Sequence, residues 1–267
     1  MSSTTTTTRT TTSTIPVMTA DTPHIIEQKG SLILRPMLPR DSEAYLRIID
    51  TAFNTTMTAM FFPNGKTDAD MDWSRKSLHN SMTRDAHYIK HLVCIDTSSS
   101  PLASDLARLS PSEAAQSKSE GRIAGVSVWK IYPKDRSKAE LDAESALSNE
   151  AGLPPTGNEE AFGGFFGAIK SCKEKYLKGK AHVLLNILAT DPEYHRRGIG
   201  GMHLRWGLAE ADRLNVVAYL EGSDDGVPLY ERYGFEGKER LPFDSKKFVA
   251  KGMEHLIMIR PAKEDRS

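Results

Sequence analysis

Apolar residues recur along this chain at two spacings, and the alternation between them orders its elements. Residues 24–36, HIIEQKGSLILRP, predict an extended segment centred on Leu32, Ile33 and Leu34. Asp41 stands where a helix N-cap belongs, ahead of Ala44, Leu46, Ile48, Ile49 and Ala52 at helical spacing. A Met- and Phe-rich stretch then ends in the turn Pro63-Asn64-Gly65, and residues 68–84 predict a second helix. HYIKHLVCID (87–96) and GRIAGVSVWKIY (121–132) read as strands. AHVLLNILAT (181–190) is a continuous apolar strand pattern, and NVVAYLEG (215–222) is another. Between them GMHLRWGLAEADR (201–213) places Met202, Leu204, Leu208 and Ala211 on one helix face.

The stretches without periodicity divide the rest. Residues 1–23 are a Ser/Thr run that cannot bury enough apolar surface to offset its ordering entropy, so a disordered tail is expected there. It has no apolar core of a secretory signal; its hydroxyl-rich, acid-poor composition leaves a transit peptide open. Residues 97–120 and 133–160 are polar and read as two surface insertions, longer than ordinary loops. A single domain from about 24 to 262, interrupted by these insertions, is the expected organisation. The charge-rich KSCKEKYLKGK (170–180) reads as a solvated helix face and a turn.

Lys plus Arg and Asp plus Glu both number 35, so the net charge is zero and no chain-wide electrostatic case for nucleic acid or a membrane surface exists. No run approaches the roughly 18 apolar residues of a membrane span. Cys94 and Cys172 are too few and too far apart for a disulfide scaffold or a multi-cysteine zinc module. Buried thiols in a reducing, cytoplasmic setting are expected. No metal-ligand constellation is seen: His87 and His91 are four apart, but on a strand rather than a helix.

The chemistry concentrates at 181–235. An apolar strand runs into DPEYHRRGIGG (191–201) and then into a helix. Glycines let a backbone approach a ligand, and unpartnered first-turn N–H groups with the helix dipole favour an anion there. Arg196 and Arg197 add charge for the same anion. The run is not a Walker loop, and His203 stands where a dinucleotide fingerprint needs its third glycine. The anion is therefore expected to belong to something other than NAD or a nucleoside triphosphate.

These residues resemble the GCN5-related N-acetyltransferase superfamily, whose acetyl-CoA loop reads [Q/R]-x-x-G-x-[G/A]. His195 takes the first position, Arg196 and Arg197 the next two, then Gly198, Ile199 and Gly200. The lead-in Asp191-Pro192-Glu193-Tyr194 and the downstream Leu229-Tyr230 with Gly234-Phe235 are similar to the family's flanking signatures. Together these pieces cover about a fifth of the chain, and the extra loops look most like fungal-type members. The resemblance implies an α/β fold with a mixed, mostly antiparallel sheet, splayed between the strands at 184–190 and 216–221 and flanked by helices. It implies acetyl-CoA as cosubstrate in that splay, with direct transfer to an amine through a ternary complex. The backbone of Leu188, Ala189 and Thr190 would pair with the pantetheine arm. The pyrophosphate would lie on Arg196, Arg197, Gly198, Ile199, Gly200 and Gly201. His195 departs from the usual Gln or Arg and would support the loop. Tyr230 would be the general acid.

Read from chemistry alone, a phenol of pKa about 10 suits protonation of a thiolate of pKa about 8.5. Tyr230 packing against the sheet is the bland alternative. Glu221, ending the strand NVVAYLE, is the candidate base or substrate contact; a local strand-end carboxylate, or a water relay with no base residue, are the alternatives. His182, Trp206, Asp191 and the Phe pairs at 61–62 and 165–166 read as structural. The acceptor is expected to be a small-molecule amine. A CoA-binding sensor without turnover, a purely interacting protein, an oxygen acceptor and a longer acyl group stay open.

Overall fold

The computed structural model describes residues 24–53, 56–150 and 152–266; the tail at 1–23 lies outside them. Eight strands make one sheet in the order β1-β2-β3-β4-β5-β6-β8-β7. They are β1 Glu27–Lys29, β2 Leu32–Pro36, β3 Ile89–Asp96, β4 Arg122–Tyr132, β5 His182–Thr190, β6 Val217–Ser223, β7 Glu236–Arg240 and β8 His255–Arg260. Neighbours run antiparallel, except β5 and β6, which are parallel. The helices are α1 Ser42–Phe53, α2 Met57–Phe61, α3 Asp68–Thr83, α4 Ala103–Leu106, α5 Pro111–Glu120, α6 Lys138–Glu150, α7 Glu159–Leu177, α8 Ile199–Leu214 and α9 Val227–Arg232.

The segment expected to be one extended stretch at 24–36 is a hairpin. Gln28 faces Ile33 and Lys29 faces Leu32, so Gly30 and Ser31 form a two-residue loop. Gly30 has φ +59°, which suits the first position of the tight hairpin turns that match strand twist. Asp41, expected as a helix cap, closes a 3-10 turn before α1 instead. Its carboxylate accepts from Leu38 N–H at 2.7 Å and from buried Arg35 at 2.6 and 3.0 Å.

The stretch 97–120 carries α4 and α5 and joins two neighbouring strands, β3 and β4. No residue of α5 is buried, so it has no apolar stripe and leaves no periodic trace in the sequence. Its start is written instead in the capping box Ser110–Glu113, and it ends on Glu120, which accepts from Arg35 at 2.8 Å. On α4, buried Asp105 accepts from Arg47 of α1 at 2.8 Å.

Alternation along the strands gives the sheet two different faces. One face carries Trp129, Val183, Leu185, Ala218, Leu220 and Met258 and is covered by α8 and α9. The opposite face packs in two separate regions. Val126 and Val128 lie with Ile48 and Leu78 of α1 and α3, whereas Leu184, Tyr219 and Ile257 lie with Met60 and Phe165 of α2 and α7. Phe61, Phe62 and Phe165 are buried in that second region, but Phe166 is 52% exposed. Both cysteines are free and buried, and burial pushes the Cys94 thiol up to about 12.

On α8, Gly207 faces the Trp129 indole of β4. A Cβ at 207 would overlap that ring. Gly207→Ala is therefore expected to destabilise the fold by about 1–3 kcal/mol, although alanine is the better helix former. A chemical-denaturation midpoint at or above that of the unaltered protein would refute this packing.

Candidate active site

The parallel pair β5–β6 is short. His182, Val183, Leu184 and Leu185 face Val217, Ala218, Tyr219 and Leu220, and pairing then stops. β5 nevertheless continues to Thr190 along β4, and β6 continues to Ser223 along β8. The two strands therefore part after Leu185 and Leu220. The β4–β5 register also shifts here: Ile187 faces Val128 and Leu185 faces Trp129, so Asn186 bulges out of the ladder and is exposed. From Asn186 to Thr190, the edge of β5 toward β6 has no strand partner among the described residues. A chain of amides could pair there as an added strand would.

Beyond Thr190 the chain enters the glycine-rich turn. Buried Asp191 shapes it, accepting from Arg47 at 2.8 Å, Arg122 at 2.9 Å and Glu193 N–H at 3.1 Å. Burial alone would raise the Asp191 carboxyl, but the bonds from Arg47 and Arg122 outweigh it and hold the group below the usual range. His195 Nε2 lies 3.2 Å from the Thr190 carbonyl. A carbonyl only accepts, so Nε2 is the donor, and the side chain ties the turn back to the strand end. Arg196 has φ +66° and Gly198 φ +90°. This left-handed backbone turns the chain into α8, whose cap Gly198 offers no side-chain cap. The N–H groups of Ile199, Gly200 and Gly201 thus open a 16-residue helix without intrahelical partners. Buried Ile199 anchors this turn against Gly125 of β4.

Several cations lie near the opening, Arg205 among them, 3.3 Å from where a Cβ at Gly201 would be. Arg197 pairs with buried Asp96 at 3.2 Å and lies over the Tyr194 ring at 4.9 Å. Arg196 is exposed. Another is Lys29 of β1, whose Nζ would lie 3.1 Å from a Cβ at Gly198. Sequence reading missed Lys29, because a hairpin some 170 residues upstream shows its neighbourhood only once folded. It also missed Tyr233, whose hydroxyl crowds Gly201 and bonds Arg205 at 3.0 Å.

The helix α9 closes the same side. Leu229 reaches Gly200, and the Tyr230 ring lies over Gly222 of β6 and over Gly226. Tyr230 is 9% exposed, and its hydroxyl makes no hydrogen bond among the described residues. Burial pushes that hydroxyl up to about 12. Glu221, one residue before Gly222, projects from the other face, where Lys173 of α7 lies 3.6 Å from Oε1. That oxygen is buried and has no hydrogen-bond partner. Tyr230 and Glu221 thus flank β6 from opposite faces at the point where the sheet parts.

A cavity of about 500 Å³ lies elsewhere, beside Met37, His91 and Trp206. None of the residues singled out for cosubstrate binding lines it. Among the described residues no group of three or more His, Cys, Asp or Glu is placed to hold a metal ion. Nor is any helix among them long and apolar enough to cross a membrane.

Solved structures share this architecture. A mutant agmatine N-acetyltransferase superposes with a TM-score of 0.55 at 13% identity, over 86% of this chain and 98% of that one. A mosquito arylalkylamine N-acetyltransferase-like protein gives 0.53 at 16% identity, over 86% and 99%. A histone acetyltransferase and related acetyltransferase of Corynebacterium glutamicum gives 0.51 at 18%, over 87% and 97%. The chain has the GCN5-related N-acetyltransferase fold. The strands expected to part, at 184–190 and 216–221, are β5 and β6.

Two curated fungal proteins match part of this N-acetyltransferase-fold chain. An acetyltransferase of Stachybotrys chartarum is 35% identical over 80 residues, which are 29% of this chain and 34% of that protein. A probable acyltransferase of Ajellomyces capsulatus is 38% identical over 53 residues, 20% of this chain and 39% of that one. The chain thus spans between a third and two-fifths of the length of the curated relatives it matches. No family model matches it.

Proposed function

We propose that the protein is an acetyl-CoA-dependent N-acetyltransferase that transfers the acetyl group directly to a small-molecule amine. The observation that carries this is the parting of β5 from β6 after Leu185 and Leu220. A helix start without a side-chain cap lies on one face, and a carboxylate with a buried, unpartnered oxygen lies on the other. Several residues fit the cosubstrate. Gly198 and Gly200 leave room that a side chain would fill, and Lys29, Arg196 and Arg197 supply positive charge beside it. The partnerless β5 edge at Leu188, Ala189 and Thr190 can pair with the amides of the pantetheine arm.

The thioester then lies in the parting. Since α8 and α9 cover the side taken by the phosphates, the amine arrives from the Glu221 face. Its nitrogen attacks the thioester carbonyl carbon, the C–S bond breaks, and the Tyr230 hydroxyl gives its proton to the departing thiolate. Glu221 receives the proton of the new ammonium, directly or through water. With the hydroxyl held near 12, Tyr230 stays a proton donor through neutral and mildly alkaline pH. His195 orders the turn through Thr190 and takes no proton. The named activities of the agmatine and arylalkylamine neighbours support a small amine as acceptor. The zero net charge and the lack of a basic stripe leave nucleic acid out of this reading.

A thermal-shift titration with acetyl-CoA, CoA and NADH tests the assignment. A ligand at 100 times its Kd adds about 2.7 kcal/mol to folded-state stability, a clear rise in Tm. A rise with acetyl-CoA and CoA but not NADH is expected. No rise with either CoA species would overturn the transferase reading. Binding without turnover of any amine would favour a CoA sensor instead.

A further inference from the structure

We propose that the acceptor carries a carboxylate beside the amine that is acetylated, and that Lys130 and Lys173 recognise this anion while Glu221 takes the ammonium end. This rests on the N-acetyltransferase reading above and assigns its acceptor class.

On the Glu221 face, the sheet packs in two apolar regions, one under α1 and α3 and one under α2 and α7. Lys130 lies on central strand β4 between Ile89 of β3 and Leu184 of β5. Leu184 is in turn opposite Tyr219 of β6, so Lys130, Leu184 and Tyr219 form one row across the sheet. With strands about 4.8 Å apart, Lys130 and Tyr219 are about 10 Å apart at their Cα atoms. Glu221 is two residues along from Tyr219 on the same face, and Lys173 of α7 reaches it from above.

The charges of this strip do not cancel. Lys130 forms no ion pair among the described residues, although it stands in the middle of the sheet. Carboxylates in its neighbourhood are engaged elsewhere: Glu144 accepts from Tyr132 and Arg136, and Asp85 accepts from Arg84 at 2.9 Å. Glu144 and Asp85 still act on Lys130 at a distance, as Arg136 and Lys173 do with the opposite sign, but Glu221 is the carboxylate that Lys173 pairs with on this strip. Burial, with Lys173 nearby, pulls the Lys130 ammonium below the usual lysine range, so a bound anion would be favoured by restoring that charge.

The polar atoms of the strip also lack partners. Tyr219 is fully buried, and its hydroxyl and Glu221 Oε1 face each other without completing a hydrogen bond of good geometry. Buried polar groups are normally satisfied, and a ligand can be what satisfies them. An amine with an adjoining carboxylate meets each requirement. Its ammonium meets Glu221 at the parting of the strands, where the thioester lies, and releases one proton to solvent before the neutral amine attacks. Its carboxylate accepts from Lys130, Lys173 and the Tyr219 hydroxyl.

Matched acceptors that differ only in the carboxylate test this. With acetyl-CoA, kcat/KM would be measured for ornithine against putrescine, lysine against cadaverine and tryptophan against tryptamine. In at least one pair, the carboxylate-bearing member should be preferred. Lys130→Met keeps the apolar stem and removes the charge. It should lower that preference about 10- to 100-fold, the worth of a charge-assisted hydrogen bond, chiefly through KM. Lys173→Gln should lower it in the same direction, which covers the case in which Lys130→Met fails to fold. Equal or better use of the decarboxylated members, a preference that survives both variants, or no turnover of any of the six by a protein that acetyl-CoA stabilises would overturn the carboxylate assignment. Absence of stabilisation by acetyl-CoA would overturn the underlying transferase reading instead.

Discussion

Gly198→Asp is expected to abolish acetyl-CoA binding. Gly198 has φ +90°, a conformation that L side chains rarely adopt, and it caps the helix whose first N–H groups have no intrahelical partner. The new side chain would enter the space beside Lys29 Nζ, which lies 3.1 Å from where its Cβ must go. An aspartate there places its own carboxylate on the positive end of the helix dipole and beside Lys29. It would thus occupy the anion's place and repel a phosphate at once. The Tm rise given by acetyl-CoA should disappear, while the protein still unfolds cooperatively. A rise comparable with that of the unaltered protein would overturn the assignment of the turn as the phosphate site.

Tyr230→Phe is the second large effect. The ring is held between Gly222, Gly226 and Phe235, so phenylalanine fills the same space and the fold should keep its stability. Only the hydroxyl is lost, and it has no partner among the described residues. Little binding energy for the cosubstrate is therefore expected to go with it. The loss should appear in kcat, by about 10²–10⁴-fold, as for removal of a general acid. The acetyl-CoA Tm rise should persist. Because burial raises the hydroxyl to about 12, its protonated form is lost only in strongly alkaline solution. The kcat profile of the unaltered enzyme should therefore show no falling limb from this group below about pH 11. An unchanged kcat in Tyr230→Phe would reduce the residue to packing.

The parts of this site that were legible in the sequence are those in which neighbours in space are neighbours in the chain. The strand ending at Thr190, the turn through Asp191 and Gly198, and the start of α8 form one continuous run, so apolar period and glycine spacing locate them together. The helix begins at Ile199, two residues earlier than its apolar pattern predicts, because glycines at 200 and 201 carry no periodic signal. Helices α4 and α5 were read as a polar insertion for a related reason: they are short, and α5 buries nothing. The hairpin at Gly30 was hidden inside an apolar run that pattern alone treats as one strand.

Residues 181–235 by themselves determined the strand-turn-helix that can hold an anion, because backbone period, glycine freedom and helix-end polarity are local properties. Tertiary structure decided everything that depends on distant strands meeting. It set where β5 leaves β6, a matter of which residues still pair across a parallel junction. It brought Lys29 to the turn and put Tyr230 and Glu221 on opposite faces of one strand. It also left Lys130 on β4 without an ion pair among the described residues. Side-chain alternation gives a residue's face only relative to its own strand. Which helix covers that face, and which charge arrives there, is decided by long-range packing.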